Sequence, residues 1–448
     1  MCYSPNLRLK GALCFMQAEE TSEKITQDQL DAMVGLHNRF LSGRIGGRRA
    51  TLSNTDLTGL SLKGQELRQA SFTGCIMVGM DLSGANFQEA SLYACDLSFS
   101  NLYQTIFIRA DLRGARIESA NLEGADLEAA DLRMGGIADV GEGRFDKARV
   151  VNFRGANLSG AKLAGSMASN ADFSDAKMVG ANMAQADLRG AVLEGADLSN
   201  VDISGAKLVG ANMKSTILTG VRLDEIKGNG VDLSDALTDE NAGKSVVDLG
   251  DPLPKLVERH RTWIKSVGQT GAQLDLSSVD MRPLGSLKME KMTAVRAVSA
   301  KFIGMNLYKI ELQSAVLDKS DFRNCDMDEA DLRGSSFIEA NFSHANLTRS
   351  NCSALLFGTG GATSRFSPCN FERARMRYAN FTDSQLKNAV FKGADLSYAD
   401  FTGADLRGAD FTGAITKGAV FDDAQTDDAQ FDRDESRPVF RIPTDRSE

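Results

Sequence analysis

The sequence predicts an all-β solenoid, a four-sided β-helix closed by a short α-helical cap and built twice along the chain. Three observations predict it. One apolar residue recurs every five positions over most of the chain. Like residues recur every twenty. Two amphipathic helical segments stand at matching places before two blocks of repeats.

The five-residue unit comes first, because repeats outrank local propensity. From Ala110 the chain reads ADLRG, ARIES, ANLEG, ADLEA and ADLR. We call the central apolar residue i. A small residue, usually Ala, holds i−2, and Asp or Asn holds i−1. Two polar residues follow, often ending in Gly. Central positions run from Leu52, Leu57, Leu62, Leu67 and Phe72 to Ile137, and from Phe153 to Leu233. They resume from Phe302 to Phe357 and from Phe366 to Phe431. A period of five fits neither a 3.6-residue helix nor an alternating strand. Residues i−2 and i face one side of an extended segment. The next three positions must turn the chain, and Gly, Ser and Asn suit that turn. Four such bends close a square coil of about 20 residues.

The twenty-residue period supports the coil independently. Phe371, Phe391, Phe411 and Phe431 share one wall, Phe381, Phe401 and Phe421 a second. Phe302, Phe322 and Phe342 form another column, and Phe337 and Phe357 a fourth. Stacked coils about 4.8 Å apart place such residues directly over one another. They read as core packing.

The repeat breaks at 134–150, at 358–364 and across about 236–286. The first two breaks read as loops. The third holds a helix: Asp251 as cap, Pro252 at the first helical position, then Leu253, Leu256, Val257, His260, Trp263, Ile264 and Val267 on one face. Near the N-terminus Thr26 and Gln29 predict a capping box, followed by Leu30, Met33, Val34, His37, Phe40 and Leu41. The two helices align at one constant offset, His37 on His260 and Phe40 on Trp263. This predicts a tandem duplication in which each helix covers an open solenoid end. The expected domains are 1–47 with a cap helix at about 26–42, a solenoid at 48–236, and a linker at 237–275 with a cap helix at about 252–267. A second solenoid at 276–435 and a polar tail at 436–448 follow.

Composition narrows the function. Net charge is −9, from 51 Lys and Arg against 60 Asp and Glu, which disfavours direct nucleic-acid binding. No run suits a membrane helix, and the stretch Gly11–Met16 is too short for a signal-peptide core. The chain reads as cytoplasmic, with translation from Met1 or Met16. Cys75, Cys95, Cys325 and Cys369 sit at i−2 and Cys352 at i, and read as reduced interior residues. His37 and His260 read as cap histidines bonded to a nearby carbonyl. With His344 in a repeat and no Cys at ligand spacing, no metal or cofactor is expected. No nucleophile–His pair or phosphate loop is present, so no catalytic residue is assigned.

The density of A(D/N)LXX units resembles the pentapeptide-repeat family, over roughly 48–236 and 276–435. The resemblance implies a right-handed quadrilateral β-helix. It also implies a bacterial interaction module, some members of which imitate DNA and bind DNA gyrase or topoisomerase IV. The expected function is a non-enzymatic scaffold whose partner is another protein. The alternative is a DNA mimic acting on a type II topoisomerase. A weaker one is an enzyme at the helix–solenoid junction around His37 or His260. The dense acidic set Asp422, Asp423, Asp427, Asp428, Asp432 and Asp434 is the candidate interaction cluster. Its plain reading is a solvated final coil.

Overall fold

The computed structural model describes residues 23–135, 149–226, 230–357 and 365–432. The chain forms two compact units. One runs to Thr216 and includes Val221–Ser234. The other joins Ile217–Gly220 to Asp235 and the residues after it. Each is a right-handed four-sided β-helix.

In the first unit, β1 (Glu23–Lys24), α1 (Gln27–Leu41), β2 (Thr51–Ser53), β3 (Thr55–Asp56) and β4 (Ser71–Thr73) open the solenoid. The second holds β5 (Lys244–Ser245), α2 (Leu253–Lys265), β6 (Val279–Asp280), β7 (Leu355–Phe357) and β8 (Arg365–Ser367). Most wall pairing is by single parallel bridges, such as Asp56 to Ile76, Ile76 to Asp96 and Asp96 to Arg116. Every coil is therefore a stack of short parallel contacts.

The five-residue unit has a physical reason at each position. The N–H of each i−2 residue donates to the carbonyl of the preceding i residue, as Ala70 does to Leu67 at 3.0 Å, which closes a β-turn. Residue i+2 of that turn takes φ near +60°, for example Gly84 at 66°, so Gly is frequent there. The i−1 carboxylate or amide accepts from the backbone of i+1: Ser83 N–H to Asp81 Oδ1 at 3.1 Å, Thr382 N–H to Asn380 Oδ1 at 2.9 Å. This explains Asp and Asn at i−1. Several Ser, Thr and Cys side chains at i−2 are buried because they donate to a carbonyl one coil earlier. Ser100 Oγ reaches Met77 O at 2.7 Å, and Cys325 Sγ reaches Phe302 O at 3.0 Å.

The aromatic columns form. Phe302, Phe322 and Phe342 stack with centroids 4.8 Å apart at each step. Phe371, Phe391, Phe411 and Phe431 follow at 5.2, 4.9 and 4.6 Å. Phe381, Phe401 and Phe421 make the neighbouring column at 5.0 and 5.1 Å. The two columns meet edge to face, as in Phe391–Phe401 at 5.9 Å and 82°, a favoured aromatic arrangement.

Several expectations need correction. Phe357 and Phe366 do not continue the repeat. Phe357 lies on β7, and Phe366 on β8 is 52 % exposed. β7 and β8 pair antiparallel, so the chain leaves the wall here as a hairpin. Phe337 instead stacks on Phe371 at 5.2 Å. In the first unit Arg116 pairs with Asn152 across a similar excursion, whose base is the antiparallel bridge Gly135 to Arg149. Ile137, most of 134–150 and all of 358–364 lie outside the described residues, as do Met1, Met16, Asp434 and the tail at 436–448. Asp251 does not cap α2. Pro252 is the N-cap, without a side-chain cap bond, and Asp251 pairs with Lys255 at 2.7 Å and Arg259 at 3.0 Å. Val267 has left the helix and is 90 % exposed, because α2 ends at Lys265. The first coil of the second unit is one residue longer than a regular twenty-residue coil. Asp275 pairs with Arg296, and a 3-10 turn at Arg282–Leu284 takes up the extra residue.

Candidate interaction surfaces and the cap histidines

A first coil has no coil beneath it, so its backbone groups need substitute partners. In the first unit β1 pairs in parallel with β3. The Gln27 amide completes a second wall, donating to Ser61 O at 2.8 Å and accepting from Ser61 N–H at 2.9 Å. His37 serves a third site. Its Nδ1 accepts from Ala50 N–H at 3.1 Å, and its Nε2 lies 3.1 Å from Arg68 O. The arrangement requires the neutral ring with the proton on Nε2. α1 begins with the capping box: Thr26 N–H to Gln29 Oε1 at 2.8 Å, Gln29 N–H to Thr26 Oγ1 at 3.4 Å.

The second cap repeats the device. β5 pairs with β6, His260 Nδ1 accepts from Leu274 N–H at 3.0 Å, and Nε2 lies 2.9 Å from Thr293 O. Phe40 stacks on His37 at 5.8 Å and Trp263 on His260 at 5.6 Å. Both imidazoles are buried, and burial lowers both pKa values from the ordinary one. With both nitrogens of each ring engaged by backbone, neither ring offers one to a substrate. A groove of about 260 Å³ beside the first cap is lined by Phe40, Leu41, Arg68, Gln69, Gln88 and Glu89. Gln27 carried no sequence signal, because its role depends on which wall α1 crosses.

The negative charges of the walls are largely spent locally. In the Asp-x-Arg units the arginine grips the carboxylate two residues before it. Arg189 reaches both oxygens of Asp187 at 2.8 and 2.6 Å, and Arg407 does the same to Asp405 at 2.8 and 2.6 Å. These bonds hold both carboxyls below the usual range. Arg323 and Asp321 make a nearly buried pair at 2.6 Å.

The described members of the acidic cluster ring the final coil. Asp422 and Asp423 stand at one corner, Asp427 and Asp428 at the next. Asp432 Oδ2 accepts from Gly413 N–H at 2.8 Å. They do not converge on a point. The first unit also carries an apolar band that the repeat pattern did not single out. On its third coil Phe99 (57 % exposed) and Tyr103 (40 % exposed) stand out, with half-buried Ile106 and Ile108 on the next wall. Among the described residues no three His, Cys, Asp or Glu side chains are placed to hold a metal ion. No helix among them is long and apolar enough to cross a membrane.

Square parallel coils, turns with a left-handed third residue and helical caps define a β-helical repeat protein. The chain belongs to the pentapeptide-repeat family, whose description, "Pentapeptide repeats", matches eight times: at 48–79, 66–98, 95–133, 151–185, 176–214, 298–334, 325–354 and 369–408. No curated protein matches it. Among solved structures it is similar to full-length QnrB1, described as a plasmid-mediated fluoroquinolone resistance protein. The two are 22 % identical over 42 % of this chain and 94 % of that one, with a TM-score of 0.16. It is also similar to Rfr23 from the cyanobacterium Cyanothece, 33 % identical over 28 % of this chain and 88 % of that one, with a TM-score of 0.19. A third is HetL from Nostoc, a protein involved in heterocyst differentiation regulation. It is 17 % identical over 87 % and 92 %, with a TM-score of 0.15.

Proposed function

We propose that this protein is a non-enzymatic scaffold that binds another protein through its solenoid walls, in the cytoplasm. The observation that carries the reading is the band of Phe99, Tyr103, Ile106 and Ile108 that runs across successive walls of one coil. Repeat geometry does not need apolar residues at these outward positions, and exposed aromatic residues supply most contact energy in interfaces. Affinity capture with the full chain and with a Phe99→Ser, Tyr103→Ser variant tests it. The same partners must be retained by the first and lost from the second. Retention by both would remove the band from the interface.

The topoisomerase-directed reading is supported by the acidic residues on the final coil. Against it stand the wall carboxylates already bound by Arg, which present little free charge to a DNA-binding groove. A DNA gyrase supercoiling assay separates the two. Inhibition or quinolone protection by the full chain, weakened by Asp427→Asn, Asp428→Asn, would favour the mimic.

A further inference from the structure

The hairpin of the second unit leaves the solenoid between two cysteines. Cys352 is the i residue before it, and Cys369 the i−2 residue after it. At an uninterrupted corner these two positions are joined by a turn hydrogen bond, as Ala345 N–H to Phe342 O at 2.9 Å. Residues of such a turn lie within disulfide reach of one another. Here the turn is replaced by the excursion, yet the corner keeps its register: Asn351 pairs with Gln385 and Ser336 with Asn370. Both thiols are fully buried at this corner. The Ser350 hydroxyl lies 3.5 Å from Cys352 Sγ and 3.4 Å from Ser384 Oγ, so the hairpin base holds a cluster of small polar groups inside the core.

We propose that Cys352 and Cys369 are a dithiol–disulfide site that clasps the base of the β7–β8 hairpin, oxidised by a low-molecular-weight disulfide of the glutathione class. The Cys352 thiolate attacks one sulfur of the disulfide RSSR, forming a mixed disulfide and releasing RS⁻. The Cys369 thiolate then attacks the Cys352 sulfur and expels the second RS⁻. Two protein thiols and one RSSR become one protein disulfide and two RSH. The product fixes both ends of the excursion to the core.

The sequence makes the test direct. Trypsin cuts after Arg349, Arg365 and Arg373, which puts Cys352 in peptide 350–365 and Cys369 in peptide 366–373. The full chain is incubated with oxidised glutathione, alkylated in denaturant and digested without reductant. The two peptides should be recovered joined, two hydrogens lighter than their sum, and separate after dithiothreitol. In Cys369→Ser the 350–365 peptide should instead carry one glutathione. Recovery of the wild-type peptides unlinked, whether alkylated or each bearing glutathione, overturns the proposal.

Discussion

At each cap one imidazole stands in for two backbone groups of a missing coil. Replacing His37 by Ala leaves Ala50 N–H and Arg68 O unpaired beneath α1, a loss of about 1–3 kcal/mol per buried group. Thermal denaturation should show a fall of several degrees. Protonation has a related effect, since Nδ1 cannot accept from Ala50 once it carries a proton. Both histidines have pKa values lowered by burial, and the Arg49 charge lowers that of His37 further. The folded state thus binds fewer protons, and the stability from the neutral rings is fully present above the ordinary histidine pKa of 6.5. It is lost as pH falls through the folded values. Melting temperature should drop between pH 7 and pH 5, and a His37→Gln, His260→Gln variant should lose that slope. An amide donates and accepts at every pH. An equal slope in the variant would assign the effect to other groups. The pairing of the two histidines was legible in the sequence, because they hold the same slot of a duplicated helix. Their donors and acceptors were not, because Arg68 and Thr293 reach them through the fold.

At the scale of elements, the caps depend on glycines the repeat pattern ignores. A Cβ on Gly47 would strike the backbone of α1 at Arg39 and Phe40. One on Gly271 would strike α2 at Arg259 O and at Trp263 N, the latter at 2.6 Å. Helix backbone cannot step aside as a side-chain tip can, so Gly271→Ala should lift α2 from the second solenoid. The expected readout is faster amide exchange at Leu274 and Arg296, with the later coils unchanged. Gln27→Ala should likewise speed exchange at Ser61, whose N–H loses its acceptor. The helices themselves were legible from their apolar spacing. The end of α2 was not, because Asp251 resembles a cap by residue type but spends its carboxylate on Lys255 and Arg259.

On the scale of the whole molecule each unit is a one-dimensional array, in which a coil is held mainly by the coils above and below. Phe391 stacks on Phe371 and Phe411 and meets Phe381 and Phe401 edge to face. Phe391→Ala should cost about 3–5 kcal/mol. Hydrogen exchange should accelerate around residues 371–411 far more than around Phe302 and Phe322. Uniform acceleration along the second unit would mean the array unfolds as one block.

The sequence by itself determined the walls. A strict five-residue period maps each position to one side of a square, and the twenty-residue period sets its height, so Phe371 and Phe391 had to stack. It also determined that the solenoid occurs twice. Tertiary structure alone decided what happens where the period fails. Phe337 rejoins its column at Phe371 because the hairpin carries Phe357 and Phe366 out of the wall. Cys352 and Cys369 come to one corner for the same reason. Contacts across an excursion depend on where the chain re-enters the stack, and the hydrogen bonds of the returning coil set that point, not the spacing of residues along it.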